Sequence, residues 1–306
     1  MIIARLVQKS CFLVVLAGIG QCAAIKLDGE ETDPLPMIIP VRKWNDKDIL
    51  AKPFVPYLFH VPKAAGSTLE RVLDAEKGMR TLPSGDAEDL EYLERSKAIH
   101  RGIIQYIKTP LFSSACAYFG RAGVQAKVFT ILREPVDRLE SLFWYRKHSS
   151  WEKDYDPFAI NESYGEFIKK EPSDWLVKML SAALPQPWNI PSDAGLPQHL
   201  SNSTRDEPYL AARYVLLDRI VYGFVDDIDN SIGAIFAAFG WEWTPGDASR
   251  LSTNVNEKPR TSSAQQTNLT SDFREQLLAN NLRDVALYSE ARQLYITRKK
   301  ELKDGQ

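Results

Sequence analysis

Apolar and polar positions along this chain fall into two periods, and the switches between them mark the elements. "YLFHV" (57–61) is a short apolar run of strand type. "STLERVLDAE" (67–76) places Leu69, Val72 and Leu73 on one face and reads as a helix. "KAIHRG" and "QYIK" lie around a second strand. "AKVFTILR" (126–133) is a strongly apolar strand, followed by the helix "EPVDRLESLFWYRKH" with Pro135 at a tolerated first-turn position. "YGEFIKK" and "SDWLVKMLSAA" are helical, "LDRIVYGFV" is a strand, and "DNSIGAIFAAFGW" is a helix. From Thr270 onward the pattern is helical to near the C-terminus. Strands alternating with helices imply a P-loop-like, doubly wound α/β fold, with a parallel sheet and helices on both faces. Ligands in such folds gather beyond the C-terminal ends of the strands.

The N-terminus changes the picture of compartment. Arg5 and Lys9 precede the apolar "CFLVVLAGIG", and small residues follow around Cys22 and Ala24. This pattern predicts a signal peptide over 1–24, with an uncleaved signal anchor as the competing reading. The run is shorter than the ~20 residues a spanning helix prefers, which favours cleavage. Residues 25–52 read as a short, partly disordered stem, and residues 53–306 as one domain. Cleavage after Ala24 would remove Cys11 and Cys22 and leave Cys116 alone, so no intramolecular disulfide is expected. Sequons at Asn161, Asn202 and Asn268 agree with a lumenal location. The 306 residues carry a net charge of −2, which excludes a strong basic field and argues against nucleic-acid binding.

The candidate chemistry sits where the first strand turns into the first helix, in "HVPKAAGST". A helix N-terminus offers unpaired N–H groups and a partial positive charge, and small residues let an anion approach them. Lys63 adds a mobile charge, Ala65 and Gly66 keep the turn small, and the Ser67 and Thr68 hydroxyls can donate. The competing reading is a simple capping box, Ser67 with Glu70. A Walker loop is excluded, because Lys63 precedes Gly66 instead of following it. In a second block, "LREPVDRLESLF", Arg133 ends a strand and Ser141 follows eight residues later on a helix. A guanidinium and a hydroxyl suit a second phosphate. Their alternatives are a surface ion pair of Arg133 with Glu134 or Asp137, and a solvated position for Ser141.

Taken together, "FHVPKAAGST" and "LREPVDRLESLF" resemble the 5′-phosphosulfate loop and the 3′-phosphate motif of the phosphoadenosine-phosphosulfate (PAPS) dependent sulfotransferases of the secretory pathway. The similarity is to the carbohydrate branch, including heparan-type O-sulfotransferases and algal and diatom-type members. It covers about residues 55–295, most closely in the two blocks. The resemblance implies a Golgi-lumenal enzyme that moves a sulfuryl group from PAPS to a hydroxyl or amine of a glycan. It implies that Lys63 acts on the leaving phosphate oxygen, that Ala65, Gly66, Ser67 and Thr68 hold the 5′-phosphate, and that Arg133 and Ser141 hold the 3′-phosphate. No metal is implied, and no metal-ligand spacing is visible.

Relatives often carry a histidine base after a Gly between the two blocks. This chain has Ile103 after Gly102, so the nearest candidate is His100, with an ordinary strand-edge histidine as the alternative. His60 reads as a packing residue. Lys258 and Arg260 fall in a polar loop that relatives close over the nucleotide, or in a solvated turn. The other classes to set against a sulfotransferase are a P-loop-type kinase and a catalytically silent PAPS- or nucleotide-binding protein.

Overall fold

The computed structural model describes residues 33–46, 53–82, 86–150, 155–184, 206–244 and 271–304. The expected signal segment, residues 1–24, lies outside them, as do Lys258, Arg260, Asn202 and Asn268. No helix among the described residues is long and apolar enough to cross a membrane.

Four parallel strands form the centre: β1 (Phe54–Phe59), β2 (Ile107–Thr109), β3 (Gln125–Leu132) and β4 (Ile220–Phe224), in the spatial order β2-β1-β3-β4. Because β1 and β3 are neighbours, with Leu58 opposite Phe129, the two candidate phosphate motifs leave the sheet side by side. Buried on both faces, these strands read as apolar runs with no clean alternation.

One face carries Leu58, Phe129 and Ile131. It is covered by α1 (Gly66–Lys77), through Leu69, Val72 and Leu73, and by α8 (Ile228–Phe239), through Ile232, Ile235 and Phe236. The other face carries Tyr57, Phe59 and Val128. There α3 (Phe112–Ala122), α6 (Trp175–Ser181) and α7 (Glu207–Arg219) close the larger core. The fold is therefore a doubly wound α/β sheet with helices on both faces. Between them in the chain, α2 (Ala87–Ser96) precedes β2, and α4 (Pro135–His148) follows β3 directly. Helix α4 packs with α5 (Tyr164–Lys170) and α9 (Ser271–Asn280) around Phe143, Phe167 and Phe273. The expected helical C-terminal part comprises α9 and α10 (Leu282–Asp304), with a break at Asn281 between them. Asn281 is buried, accepts the amide of Asp174 at 3.0 Å and donates to the Leu277 carbonyl at 2.8 Å, so its side chain joins the helix ends.

Part of the expected stem belongs to the domain. Residues 33–46 lie against the sheet, with Leu35, Ile38, Ile39 and Trp44 buried. Ile38 bridges Ala126 at the start of β3. The buried Arg219 guanidinium donates to Asp33 at 2.7 Å and to the Ile38 carbonyl at 2.8 Å. These partners lie far along the chain, Ala126 for Ile38 and Arg219 for Asp33 at a separation of 186 residues, so the stretch by itself gives no sign of them.

Candidate functional site: the β1–α1 corner

The chain leaves β1 at Phe59 and re-enters regular structure at Gly66, so six residues make the corner. Lys63 and Ala65 both adopt left-handed backbone, at φ 67° and 58°. Such geometry costs a non-glycine residue roughly 1–2 kcal/mol, and it curls successive amides toward one concavity. Ala65 is the residue that caps α1, and it has no side chain able to cap. The capping-box reading of Ser67 and Glu70 is thereby corrected. Ser67 lies inside the first turn and is exposed, while Glu70 pairs with Lys108 of β2 at 2.7 Å. Thr68 and Leu69 are the first amides to bond back, both to the Ala65 carbonyl at 3.1 Å. The amides of Gly66 and Ser67 precede them at the positively polarised helix end.

Arg133, the first residue after β3, reaches this corner. Its Nη1 donates to the Lys63 carbonyl at 3.3 Å. The alternative ion pairs do not form, because Glu134 accepts the Asp137 amide at 2.7 Å and Asp137 pairs with Arg274 at 2.9 Å. Lys63 Nζ stands 3.6 Å from the centre of the Tyr145 ring. Tyr145 is one helical turn beyond Ser141 on α4, so these two share a face. The face of α4 that meets Lys63 is therefore the one that carries the half-buried Ser141. Lys63, Ala65, Gly66, Ser67, Thr68, Arg133 and Ser141 are thus gathered around one corner. Tyr145 was not singled out in the sequence, although an aromatic residue one turn from Ser141 was a usable signal.

The sequence predicts a packing role for His60, and its surroundings are more specific than that. Its amide donates to the Thr109 carbonyl at 3.1 Å, which ties the end of β1 to the end of β2. Its ring lies beneath Gly66, and Nδ1 is buried with no hydrogen-bond partner. Burial first, then the Lys108 and Lys63 charges, push its pKa down to about 4.

His100 is not brought to this corner. It is exposed in the turn after α2, which enters β2 from its N-terminal end. That segment is joined to Arg80, just past the C-terminus of α1, through Gln105 N–H at 2.8 Å and the Gly102 carbonyl at 3.2 Å. The 12-residue α1 is about 17 Å long at 1.5 Å per residue, and His100 neighbours the wrong end of it. Among the described residues no group of three or more His, Cys, Asp and Glu is placed to hold a metal ion.

No family model matches this chain, and no curated protein matches it.

Proposed function

We propose that the protein transfers a sulfuryl group from PAPS to a hydroxyl of a carbohydrate acceptor in the secretory lumen. The observation that carries this reading is the Arg133 bond to the Lys63 carbonyl, which joins the two anion-suited motifs at adjacent strand ends. An uncapped helix start, a lysine and an arginine then face one anion-rich ligand. In the reaction, the acceptor oxygen bonds to sulfur as the bond from sulfur to the phosphate oxygen breaks. The electron pair stays on that phosphate oxygen, and Lys63 with the α1 amides stabilises it. The acceptor proton leaves to a base, a role for which the position of His100 offers no support.

That last point favours one second reading, a PAPS-binding protein without turnover. Incubation of the full chain with radiolabelled PAPS and a panel of glycans separates the two. Label transferred to a glycan supports the enzyme, and binding of the desulfated product PAP without transfer supports the silent binder. Calorimetry that detects no PAP affinity removes both.

A further inference from the structure

His60 is a titratable residue of the corner to which the proposed reaction gives no task, and its ring is closely packed. It continues β1 on the sheet face that α1 covers, two positions beyond Leu58, which pairs with Lys108. A methyl group at Gly66 would lie 2.1 Å from His60 Cε1 and 2.3 Å from Nδ1, so the ring supports the first turn of α1 from below. Nδ1 faces into that contact, closed off from solvent and without a partner. A buried polar atom left unpaired is costly, and native structures hold few of them. The charged groups around the ring are Lys63 from the loop and Lys108 from β2, with Glu70 of α1 seated on Lys108.

We propose that His60 is a positioning residue for an oxyanion bound at the α1 start, holding Gly66 in place while the anion is absent and taking up a proton when it arrives. This rests on the reading above that the corner holds the nucleotide's phosphate. The free ring is kept neutral by burial and by two cations. An oxyanion at the amides of Gly66 and Ser67 would sit across the Gly66 backbone from the ring. It would counter the field of Lys63 and Lys108 and favour the charged imidazole directly. Linkage then runs both ways: an anion that raises the His60 pKa is itself bound more tightly as pH falls. With one proton involved, the gain is at most about tenfold per pH unit, between the bound-state and free-state pKa values.

The test uses the full chain carrying isotope-labelled histidine, followed by NMR across pH alone, with sodium sulfate and with PAP. Sulfate serves because its own charge does not change over the range, unlike phosphate. His60→Gln identifies the signal. The expected result is a His60 imidazole pKa that rises by about one unit or more with either ligand. Sulfate affinity should also rise toward acid pH in the wild type and stay flat in His60→Gln. Sulfate binding with the imidazole pKa unmoved overturns the proposal, as does a glutamine variant that keeps the wild-type pH dependence. A His60 shift with sulfate but no PAP binding leaves the anion role standing and removes the nucleotide reading. If neither ligand binds, both fall. Should the glutamine variant not fold, His100→Gln, His148→Gln and His199→Gln assign the His60 signal by elimination, and the wild-type titration decides.

Discussion

Gly66→Ala measures how tightly the corner is built. Gly66 is not among the residues with positive φ, so its backbone is open to any L-residue. Within a helix, alanine is intrinsically favoured over glycine by about 1 kcal/mol. The structure sets a larger opposing effect. The new Cβ would fall 2.1 Å from His60 Cε1, against the ~3.5–4.0 Å of a relaxed carbon–carbon contact. Ring or helix must therefore yield by well over ~1 Å. The ring has little room, because Nδ1 is enclosed and the His60 amide is held by Thr109. Overpacking of this kind costs about 1–3 kcal/mol. Gly66→Ala should then be neutral to destabilising by about 2 kcal/mol in the wild type, and stabilising by up to about 1 kcal/mol in a His60→Ala background. Urea denaturation of the four proteins gives the coupling directly, expected at about 1–3 kcal/mol. Equal effects of Gly66→Ala in both backgrounds would refute the packing argument. Gly78→Ala is the control, since its penalty comes from φ 58° in open space and should ignore His60.

Lys63→Ala should lower kcat by about 10²–10³ with a smaller loss of PAP affinity, because the lysine acts on charge that develops in the transition state. Arg133→Ala should weaken PAP binding by about 1.5–3 kcal/mol in calorimetry, the range for a hydrogen bond to a charged group. Asp284 accepts the amides of Leu176 and Val177, and burial, its main influence, pushes its carboxyl up to about 6. Its folded pKa exceeds the ~3.9 of an unfolded aspartate, so the folded state binds more protons between those values. Stability from this group is lost as pH rises through that window, and the wild type should gain on Asp284→Asn as pH falls from 6 toward 4; a difference that does not vary with pH would contradict this. Asn161 is exposed at the end of a short 3-10 turn, so lumenal expression should give a glycosidase-sensitive mobility shift that Asn161→Gln reduces.

The elements at the corner were legible because each joins an apolar run to a change of period. Expected and observed limits differ by three residues or fewer for β1, and by a single residue for β3 and α4. Other elements were hidden for physical reasons. The sequence of α3, "FSSACAYFGRA", has a serine pair and a glycine that weaken the helical signal, and its stability comes from packing Phe112, Tyr118 and Phe119. The expected strand from Leu217 absorbed the end of α7, since Leu217, Asp218 and Arg219 are too short a stretch to separate the two periods. Asp206 as N-cap with Pro208 close behind it was a start signal that went unused. The capping box at Ser67 was a sound local pattern, overridden because Ala65 turns left-handed and Glu70 finds Lys108 across the sheet.

The position of His100 shows what linear order between two motifs cannot convey. In a parallel sheet every strand is entered at one edge and left at the other, so residues shortly before a strand and shortly after it lie on opposite edges. Lys63 and Arg133 follow β1 and β3, whereas His100 comes seven residues before the start of β2. Among the described residues, a base for the proposed transfer would come from groups that follow a strand or face the corner from α4. After β2 the chain offers Pro110 and Leu111, and after β4 it offers the acidic turn Val225–Asp227. Asp227 is already held by Tyr295 at 2.8 Å and Lys299 at 2.6 Å, and Asp226 by Arg292 at 2.6 Å. These contacts keep both carboxylates occupied by cations and a phenol, and so oppose their use as proton acceptors. Glu70 is the first carboxylate along α1, and its partner Lys108 is also one of the two cations bearing on His60. His60, Lys108 and Glu70 thus lie together where the end of β2 meets the first turns of α1.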